Sequence, residues 1–137
     1  LCTEREWERA ARGADDRVFP HGDRIAPDDA NYDETYGRVP RAFGPDEVGS
    51  HPASRSPFGA DDLVGNVLEW VRSSRPGARC VNRGGAFYFD ADMTGRLDNR
   101  TEVEPTMHDL TQGVRLCATF PAPVRQRAEA NPKGDSP

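Results

Sequence analysis

The sequence has no long apolar run and no excess of positive charge. No stretch of its 137 residues approaches the roughly 18 apolar residues of a membrane-spanning helix, so we expect no membrane span. The formal net charge is −5, whereas nucleic-acid-binding domains usually carry a basic patch, so we expect no nucleic-acid partner. A phosphate-binding glycine loop, a nucleophile elbow and an HExxH helix are also missing, which removes three common enzyme classes from consideration.

Cysteine is scarce, and its spacing excludes a familiar kind of metal site. Cys2, Cys80 and Cys117 show no CxxC spacing, which argues against structural zinc. Their odd number leaves one disulfide plus a free thiol, or three buried thiols. We hypothesise that Cys2 and Cys117 pair if the protein is exported, because closing so long a loop contributes on the order of 4 to 5 kcal/mol in the chain-entropy treatment. The compartment stays open, with an exported or periplasmic location favoured.

Apolar residues are few and turn-forming residues are many. Hydrophobic residues make up 35% of the chain, beside 13 glycines and 12 prolines, which interrupt helices and central strands. Residues 14–56 show no sustained periodicity, so we predict a long loop region of the kind that is functional or is ordered by something such as a metal. We predict one domain at residues 1–120, followed by a disordered tail or linker at 121–137, where prolines are frequent and aromatic residues are missing.

Local patterns predict one helix and three strands. Thr3 and Glu6 form a capping box before a run with apolar residues at helical spacing, and Gly13 supplies a left-handed ending. We therefore predict a helix from Glu4 to Arg12. Three β-prone segments are predicted as strands: Val64–Val71, Cys80–Tyr88 with a glycine break, and Gly113–Ala118. Short strands between long loops indicate a mixed, loop-rich α+β domain.

Four segments in fixed order resemble one known family. They are LCTEREWE at 1–8, FPHGD at 19–23, DLVGNVLEW at 62–70, and RGG at 83–85 with GVR at 113–115. Together they resemble the formylglycine-generating enzyme, or sulfatase-modifying factor, family. The resemblance runs from Leu1 to about Cys117 and covers the C-terminal half of such a domain. It implies a variant of the C-type lectin fold. Because the chain begins without an initiator methionine, we expect it to be part of a longer protein.

The resemblance implies a calcium site formed by the side chains of Asp62 and Glu69 with the carbonyls of Gly65 and Val67. Calcium takes six to eight oxygen ligands and often mixes carboxylates with carbonyls. Alternate residues of an extended segment share one side, so three of these groups can face one ion. In the alternative interpretation, Asp61 and Asp62 are turn residues and Glu69 pairs with an arginine.

A second calcium site of the family corresponds to the Asn31 side chain and the Tyr32 carbonyl. The remaining ligands of that site come from an acidic segment with no counterpart between Asp33 and Val48. Asp33 and Glu34 either replace those ligands or are solvated loop carboxylates. Calcium is thus the cofactor that the resemblance implies.

The family's oxidase chemistry depends on residues that this sequence lacks. In the active enzymes, two cysteines after the Arg-Gly-Gly segment bind copper(I), a soft ion that prefers thiolates. The matching positions hold Phe89 and Thr94, Ala86 replaces a serine, and Leu68 replaces a tryptophan. We therefore assign no catalytic residue and do not expect copper.

The altered site predicts a pocket in place of the copper centre. Its aromatic residues are suited to ligand binding or to simple packing, and nearby arginines either bind an anionic ligand or, as we favour, tie loops together. The residues proposed for this pocket are Arg83, Phe87, Tyr88, Arg96 and Arg100, with Phe89 beside them.

Two classes of function remain open. The first is a non-catalytic binding or sensory module with an unknown ligand or protein partner, attached to a domain such as a kinase or belonging to a secreted lipoprotein. The second is an active oxidase using unidentified residues, or a relative of the non-haem iron enzymes. His21, His51 and His108 are widely spaced, so we expect unrelated surface histidines. The missing cysteine pair favours the first class.

Overall fold

A computed structural model describes residues 1–77, 80–94 and 96–119 of the chain. The tail expected at 121–137 lies outside these residues. The described part combines two helices, a four-stranded sheet and long irregular connections, so the predicted mixed α+β class is confirmed. No helix within it is long and apolar enough to cross a membrane.

Helix α1 spans Glu4–Arg12, as the capping pattern predicted. The Thr3 amide donates to Glu6 Oε2 at 2.7 Å, and the Glu6 amide donates to Thr3 Oγ1 at 3.2 Å. Both bonds satisfy amide groups that a helix leaves without intrahelical partners. Gly13 ends the helix at φ 77°, a backbone conformation that glycine adopts without steric cost.

The sheet is shorter and more broken than the sequence predicted. Its strands follow the order β3-β2-β1-β4, with β1 antiparallel to β2, β2 antiparallel to β3, and β1 parallel to β4. Their bounds are β1 Leu68–Val71, β2 Cys80–Arg83, β3 Arg100–Val103 and β4 Gln112–Val114, and a short helix α2 spans Ala91–Thr94. The prediction that β1 begins at Val64 was wrong, because Gly65 and Asn66 have φ values of 68° and 59°, which turn the chain out of an extended path.

The other two predicted strands also end early. Gly84 has φ 79° and stops β2 after Arg83. The last strand ends at Val114, so the predicted continuation to Ala118 was wrong. Strand β3 and helix α2 were not predicted, since the polar sequence of β3 and the four-residue length of α2 give little periodic signal.

The register gives the sheet two unlike faces. Trp70 pairs with Asn82, and Asn82 pairs with Thr101, so these side chains share one face, which we call the open face. The alternate residues point to α1 on what we call the helix face. Seven buried residues form the main core against that face: Cys2, Trp7, Ala11, Leu63, Val71, Val81 and Leu97.

Residues 14–56 form the long loop region that the sequence predicted. Within it, the described helical turns are the short 3-10 segments Pro40–Ala42 and Pro52–Ser54. A second core of Phe19, Ala30, Tyr32 and Val64 packs beneath the loop. Asn66 also fastens it, since the Asn66 amide donates to the Asn31 carbonyl at 2.8 Å and Asn66 Oδ1 accepts from the Asp46 amide at 2.9 Å. Apolar burial and asparagine hydrogen bonds therefore order this loop.

A disulfide closes the domain. Cys2 and Cys117, 115 residues apart, are bonded with their Cα atoms 4.7 Å apart, within the usual range for a disulfide. The bond joins the segment before α1 to the segment after β4. Cys80 is a free, half-buried thiol.

Candidate functional site

A cavity of about 190 Å³ lies on the open face of the sheet. Leu68, Asn82, Thr101 and Val103 come from adjacent strands, and alternation along each strand points them into the cavity. The walls come from the connection between β2 and β3 and from the loop before β4. The wall residues are Tyr88, Phe89, Met93, Asn99, Met107, Asp109 and Thr111. We call this cavity the open-face pocket.

The polar groups of the pocket differ in how well they are satisfied. Asn99 Nδ2 donates to the Gly84 carbonyl at 2.9 Å and the Met93 carbonyl at 2.6 Å. Asp109 Oδ1 accepts from the amide and the hydroxyl of Thr111, and these hydrogen bonds lower the pKa of the Asp109 carboxyl. Asn82 is 2% exposed, and its buried Oδ1 has no hydrogen-bond partner among the described residues. Asn82 therefore provides a buried, unused hydrogen-bond acceptor in the pocket.

The pocket contains two of the positions that the resemblance compares with the oxidase centre. Phe89 and Leu68, predicted to stand where the active enzymes have a cysteine and a tryptophan, both line it. The Thr94 hydroxyl is turned inward and hydrogen-bonds the carbonyls of Ala86 at 3.0 Å and Phe89 at 3.2 Å. The described residues of the pocket supply sulfur as the thioethers of Met93 and Met107, and none supplies a thiol.

The five residues predicted for a ligand pocket do not come together. Tyr88 lines the open-face pocket, whereas Phe87 is buried and is not among its lining residues. Arg83 lies on the opposite side of the sheet, stacked 5.1 Å from the Trp7 ring and donating to the Leu97 carbonyl at 2.7 Å. Burial lowers the pKa of Arg83.

Two other arginines from that set are engaged in ion pairs. Arg100 Nε lies 2.7 Å from Glu4 Oε1, and Arg96 Nε lies 3.2 Å from Asp98 Oδ1. Neither arginine lines the open-face pocket. These contacts fit the interpretation that the arginines tie loops and elements together.

Glu69 is the centre of a buried polar cluster on the helix face. Arg115 holds both carboxylate oxygens, with Nη2 2.6 Å from Oε1 and Nε 2.8 Å from Oε2. Trp7 Nε1 donates to Oε2 at 2.6 Å. Arg115 also donates to the Asp61 carbonyl at 2.7 Å. The structure thus contains the arginine pairing that was the alternative to a calcium ligand.

The first calcium ligand set is only partly assembled. Asp62, Val67 and Glu69 line one cavity together with Arg115, and Gly65 is not among its lining residues. Asp62 Oδ2 accepts from the Gly49 amide at 2.7 Å. A calcium ion in this cavity would have to share the Glu69 carboxylate with Arg115.

The second ligand set is also engaged in protein contacts. The Asn31 side chain donates from Nδ2 to the Gly44 carbonyl at 2.8 Å, and the Tyr32 carbonyl accepts from the Thr35 amide at 3.1 Å. Asp33 and Glu34 both pair with Arg38, each at 2.9 Å.

The histidines are separate in the structure. His21 pairs with Asp29 at 3.2 Å and His51 with Asp46 at 2.8 Å. Across residues 1–77, 80–94 and 96–119, no three His, Cys, Asp or Glu side chains gather in a metal-binding arrangement.

Sequence reasoning missed Asn82, Met93 and Met107 as pocket residues. The signal for Asn82 was present, because it alternates with Val81 and Arg83 in a strand and so must face the opposite side. The two methionines are the only ones in the chain, but they belong to different loops, and their proximity to one cavity depends on tertiary structure.

Comparison with known proteins connects this geometry to a family. Residues 1–120 match the family described as sulfatase-modifying factor enzyme 1-like domain. A Bos taurus protein named inactive C-alpha-formylglycine-generating enzyme 2 is 34% identical over 118 residues, covering 78% of this chain and 38% of that protein. A Mycobacterium tuberculosis protein named formylglycine-generating enzyme is 41% identical over 79 residues, covering 52% and 26%. The chain thus spans well under half the length of these relatives.

A solved structure shares the architecture. The Treponema denticola variable protein 1 superposes with a TM-score of 0.68 at 25% identity, over 83% of this chain and 45% of that one. This likeness confirms the fold class predicted from the sequence.

Proposed function

The chain belongs to the family of sulfatase-modifying factor enzyme 1-like domains, and from that membership we propose that it is a non-catalytic member that binds a ligand in the open-face pocket. The observation that carries this proposal is the pocket itself, which is lined by the Phe89 ring at one of the two positions where the resemblance places a thiolate. At the other position, the Thr94 hydroxyl is bonded to the Ala86 carbonyl and does not line the pocket. Phenylalanine has no metal-binding group, and a threonine hydroxyl is not a soft ligand. Relatives from cattle and mouse that carry the word inactive in their names are consistent with it.

An activity assay tests the non-catalytic part. The chain is loaded with copper(I), supplied with oxygen and a peptide carrying a sulfatase-type cysteine motif, and the peptide mass is followed. The Mycobacterium tuberculosis relative named formylglycine-generating enzyme serves as the positive control. We expect no conversion of cysteine to the aldehyde. Conversion that stops when copper is chelated would support the alternative, an active oxidase using other residues.

A separate experiment tests ligand binding. Isopropanol is a small neutral probe that collects in partly apolar pockets with a few polar groups, the usual character of ligand sites. Titration to a few per cent by volume, followed by amide NMR, should move the resonances of Tyr88, Met93 and Met107 most. Val39, which is exposed and lies far in sequence from the pocket residues, serves as the reference. Equal shifts at Val39 and the pocket would count against a binding site here.

Calcium binding at Asp62 and Glu69 is a second proposal. Its support is that both carboxylates and Val67 line one cavity, and calcium accepts mixed carboxylate and carbonyl ligands. Arg115 already contributes one positive charge to that cavity, which opposes a second cation. We therefore expect weak binding, with a dissociation constant on the order of 1 mM, near the weak end of natural calcium sites.

Calorimetric titration tests calcium uptake directly. The native chain should take up calcium at millimolar concentration and gain thermal stability, since a ligand that binds only the native state stabilises it by mass action. Asp62→Asn should lose both effects, while Asp16→Asn, at an exposed position outside both ligand sets, serves as a carboxylate control. No heat of binding and no thermal shift in the native chain would rule the site out.

Export to an oxidising compartment is the proposed location of the protein. The Cys2–Cys117 disulfide supports it, because structural disulfides persist mainly outside reducing compartments. Mass spectrometry of alkylated protein from its native source tests the proposal. Finding both thiols alkylated without prior reduction would contradict it.

A further inference from the structure

The volume of the open-face pocket fits a chemical group about as large as one amino-acid side chain. Its volume is about 190 Å³, and an apolar cavity of about 150 Å³ is sufficient to bind benzene. Drug-sized ligands generally occupy clefts of about 300 Å³ or more. The pocket therefore matches a single ring with one small substituent.

The walls favour an aromatic ring over an aliphatic group. Tyr88 and Phe89 form an edge-to-face pair with centroids 4.6 Å apart, and Tyr88 is about half exposed. Met93 and Met107 add two flexible thioethers, which make favourable contacts with aromatic rings. Four of the lining residues thus have a specific attraction to a flat π-system.

The polar groups of the pocket select a ligand with one hydrogen-bond donor. Asn82 Oδ1 is buried without a hydrogen-bond partner among the described residues, and a buried acceptor left unpaired is costly. Two other polar atoms of the pocket, Asn99 Nδ2 and Asp109 Oδ1, are already engaged within the protein.

The charge of the lining argues against an anion. Asp109 is the charged residue among the described lining residues. Hydrogen bonds from Thr111 lower the pKa of the Asp109 carboxyl, so the group carries negative charge at neutral pH. Arg83 and Arg100, which would attract an anion, make their ion pairs with residues of α1.

Resting on the binding function proposed above, we propose that the open-face pocket takes a neutral aromatic group carrying one O–H or N–H donor, which pairs with Asn82. Such a group occurs in a free phenol or indole and in a tyrosine or tryptophan side chain of a peptide. The shared chemistry is a flat apolar ring with a single donor.

The test is an NMR titration of the full chain with phenol, toluene and benzoate. Phenol should shift the pocket amides at Tyr88, Met93 and Met107, and toluene should bind about three- to tenfold more weakly because it leaves Asn82 unpaired. Benzoate should bind most weakly. Toluene binding as tightly as phenol, or benzoate binding best, would overturn the proposal. If isopropanol still marks the pocket in that case, the ligand class is wrong and the binding function stands.

Substitutions test whether Asn82 is the source of the preference for phenol over toluene. Asn82→Val should bring the ratio of phenol to toluene affinity to about one, while Val39→Ala, at an exposed position outside the pocket, should leave it unchanged. Should Asn82→Val not fold, the half-exposed Met93 and Met107 provide a second test. Alanine at either position should weaken phenol and toluene alike, and undiminished phenol binding in both variants would contradict the proposed ring site.

The two sources of the aromatic group are told apart by one comparison. A short peptide with a central tyrosine is titrated beside phenol. Binding at least tenfold tighter than phenol assigns the group to a peptide side chain, and equal or weaker binding assigns it to a free small molecule.

Discussion

The two faces of the sheet differ in whether their buried polar groups have hydrogen-bond partners. On the helix face, Glu69 is 5% exposed and accepts hydrogen bonds from Arg115 and Trp7. On the open face, Asn82 Oδ1 and both polar side-chain atoms of Gln112 are buried without hydrogen-bond partners in the part of the chain that the structure describes. Natural structures leave few such groups unpaired, and each calls for a specific reason. The buried charge of the helix face is paired within the protein, whereas the open face has the unpaired polar atoms on which the ligand proposal rests.

On the helix face, Arg83 also has a buried side-chain atom without a hydrogen-bond partner among the described residues, but its situation differs from that of Asn82. The unpaired atom is Nε, while Nη2 donates to the Leu97 carbonyl and the guanidinium stacks on the Trp7 ring. A guanidinium has five N–H donors, so it can keep such contacts while one donor is unpaired. Asn82, by comparison, has one acceptor oxygen, and that oxygen is the unpaired atom.

The largest expected effect is loss of the disulfide that closes the helix face. The double variant Cys2→Ser/Cys117→Ser should lose about 5 kcal/mol of unfolding free energy, because the bond spans 115 residues and loop-closure entropy grows with length. Urea denaturation measures the loss. Cys80→Ser removes the free thiol as the matched control and should stay close to the native chain. Equal stability of the double variant and the control would mean that the bond does not constrain the unfolded chain.

Breaking the Glu69 cluster should have the next largest effect. Arg115→Met leaves a carboxylate buried with Trp7 as its remaining donor, and uncompensated buried charges cost about 3 to 5 kcal/mol. Arg96→Met breaks an exposed pair with Asp98 and should change stability by less than about 1 kcal/mol. Chemical denaturation compares the two variants. A similar small loss in both would show that the Glu69 carboxylate finds another partner.

Neighbouring residues of β2 give the most direct test of the contrast between faces. Val81 is fully buried on the helix face, and Val81→Ala should cost about 2 kcal/mol through lost packing. Asn82→Val on the open face should lie within about 1 kcal/mol of the native chain, since it removes an unsatisfied polar group and adds a good strand former. Thermal unfolding distinguishes them. A larger loss for Asn82→Val than for Val81→Ala would show that Asn82 is needed for folding.

Sequence analysis predicted the helix face better than the open face for a physical reason. Helix α1 carries its signals within a few residues, as a capping box and a terminal glycine, so its bounds were predicted correctly. The start of β1 depended on the left-handed backbone at Gly65 and Asn66. Gly65 is required there because a Cβ would lie 2.3 Å from the Asn31 carbonyl oxygen, a contact that exists only in the folded chain.

The open-face pocket could not be predicted from local patterns. Its walls come from the segments around Met93 and Met107, and its floor depends on β3, whose polar sequence gave no strand signal. The register of Asn82 with Thr101 completes the floor. The family resemblance located Phe89 and Thr94, but the arginines expected near them pair with other elements. Long-range pairing, which sequence periodicity does not encode, decided these positions.

The smallest expected effect is a pH dependence of stability that comes from His51 in the loop region. Burial opposes protonation of His51, but hydrogen bonds to the Asp46 carboxylate at 2.8 Å and the Asp28 carbonyl at 3.2 Å outweigh it and raise the pKa of His51 above 6.5. Both ring nitrogens face acceptors, and only the protonated ring donates to both.

This raised pKa predicts a pH dependence of stability that arises in the loop region. The stabilisation by His51 is complete below pH 6.5 and is lost as the pH rises through the folded-state pKa, because the folded chain then releases the proton that held the contact. Urea midpoints measured from pH 6 to pH 9 should fall modestly for the native chain. His51→Gln should flatten this part of the curve, whereas His108→Gln, at an exposed position, should leave it intact. A native curve that rises over this range, or an unchanged slope in His51→Gln, would place the pH response elsewhere than in this loop contact.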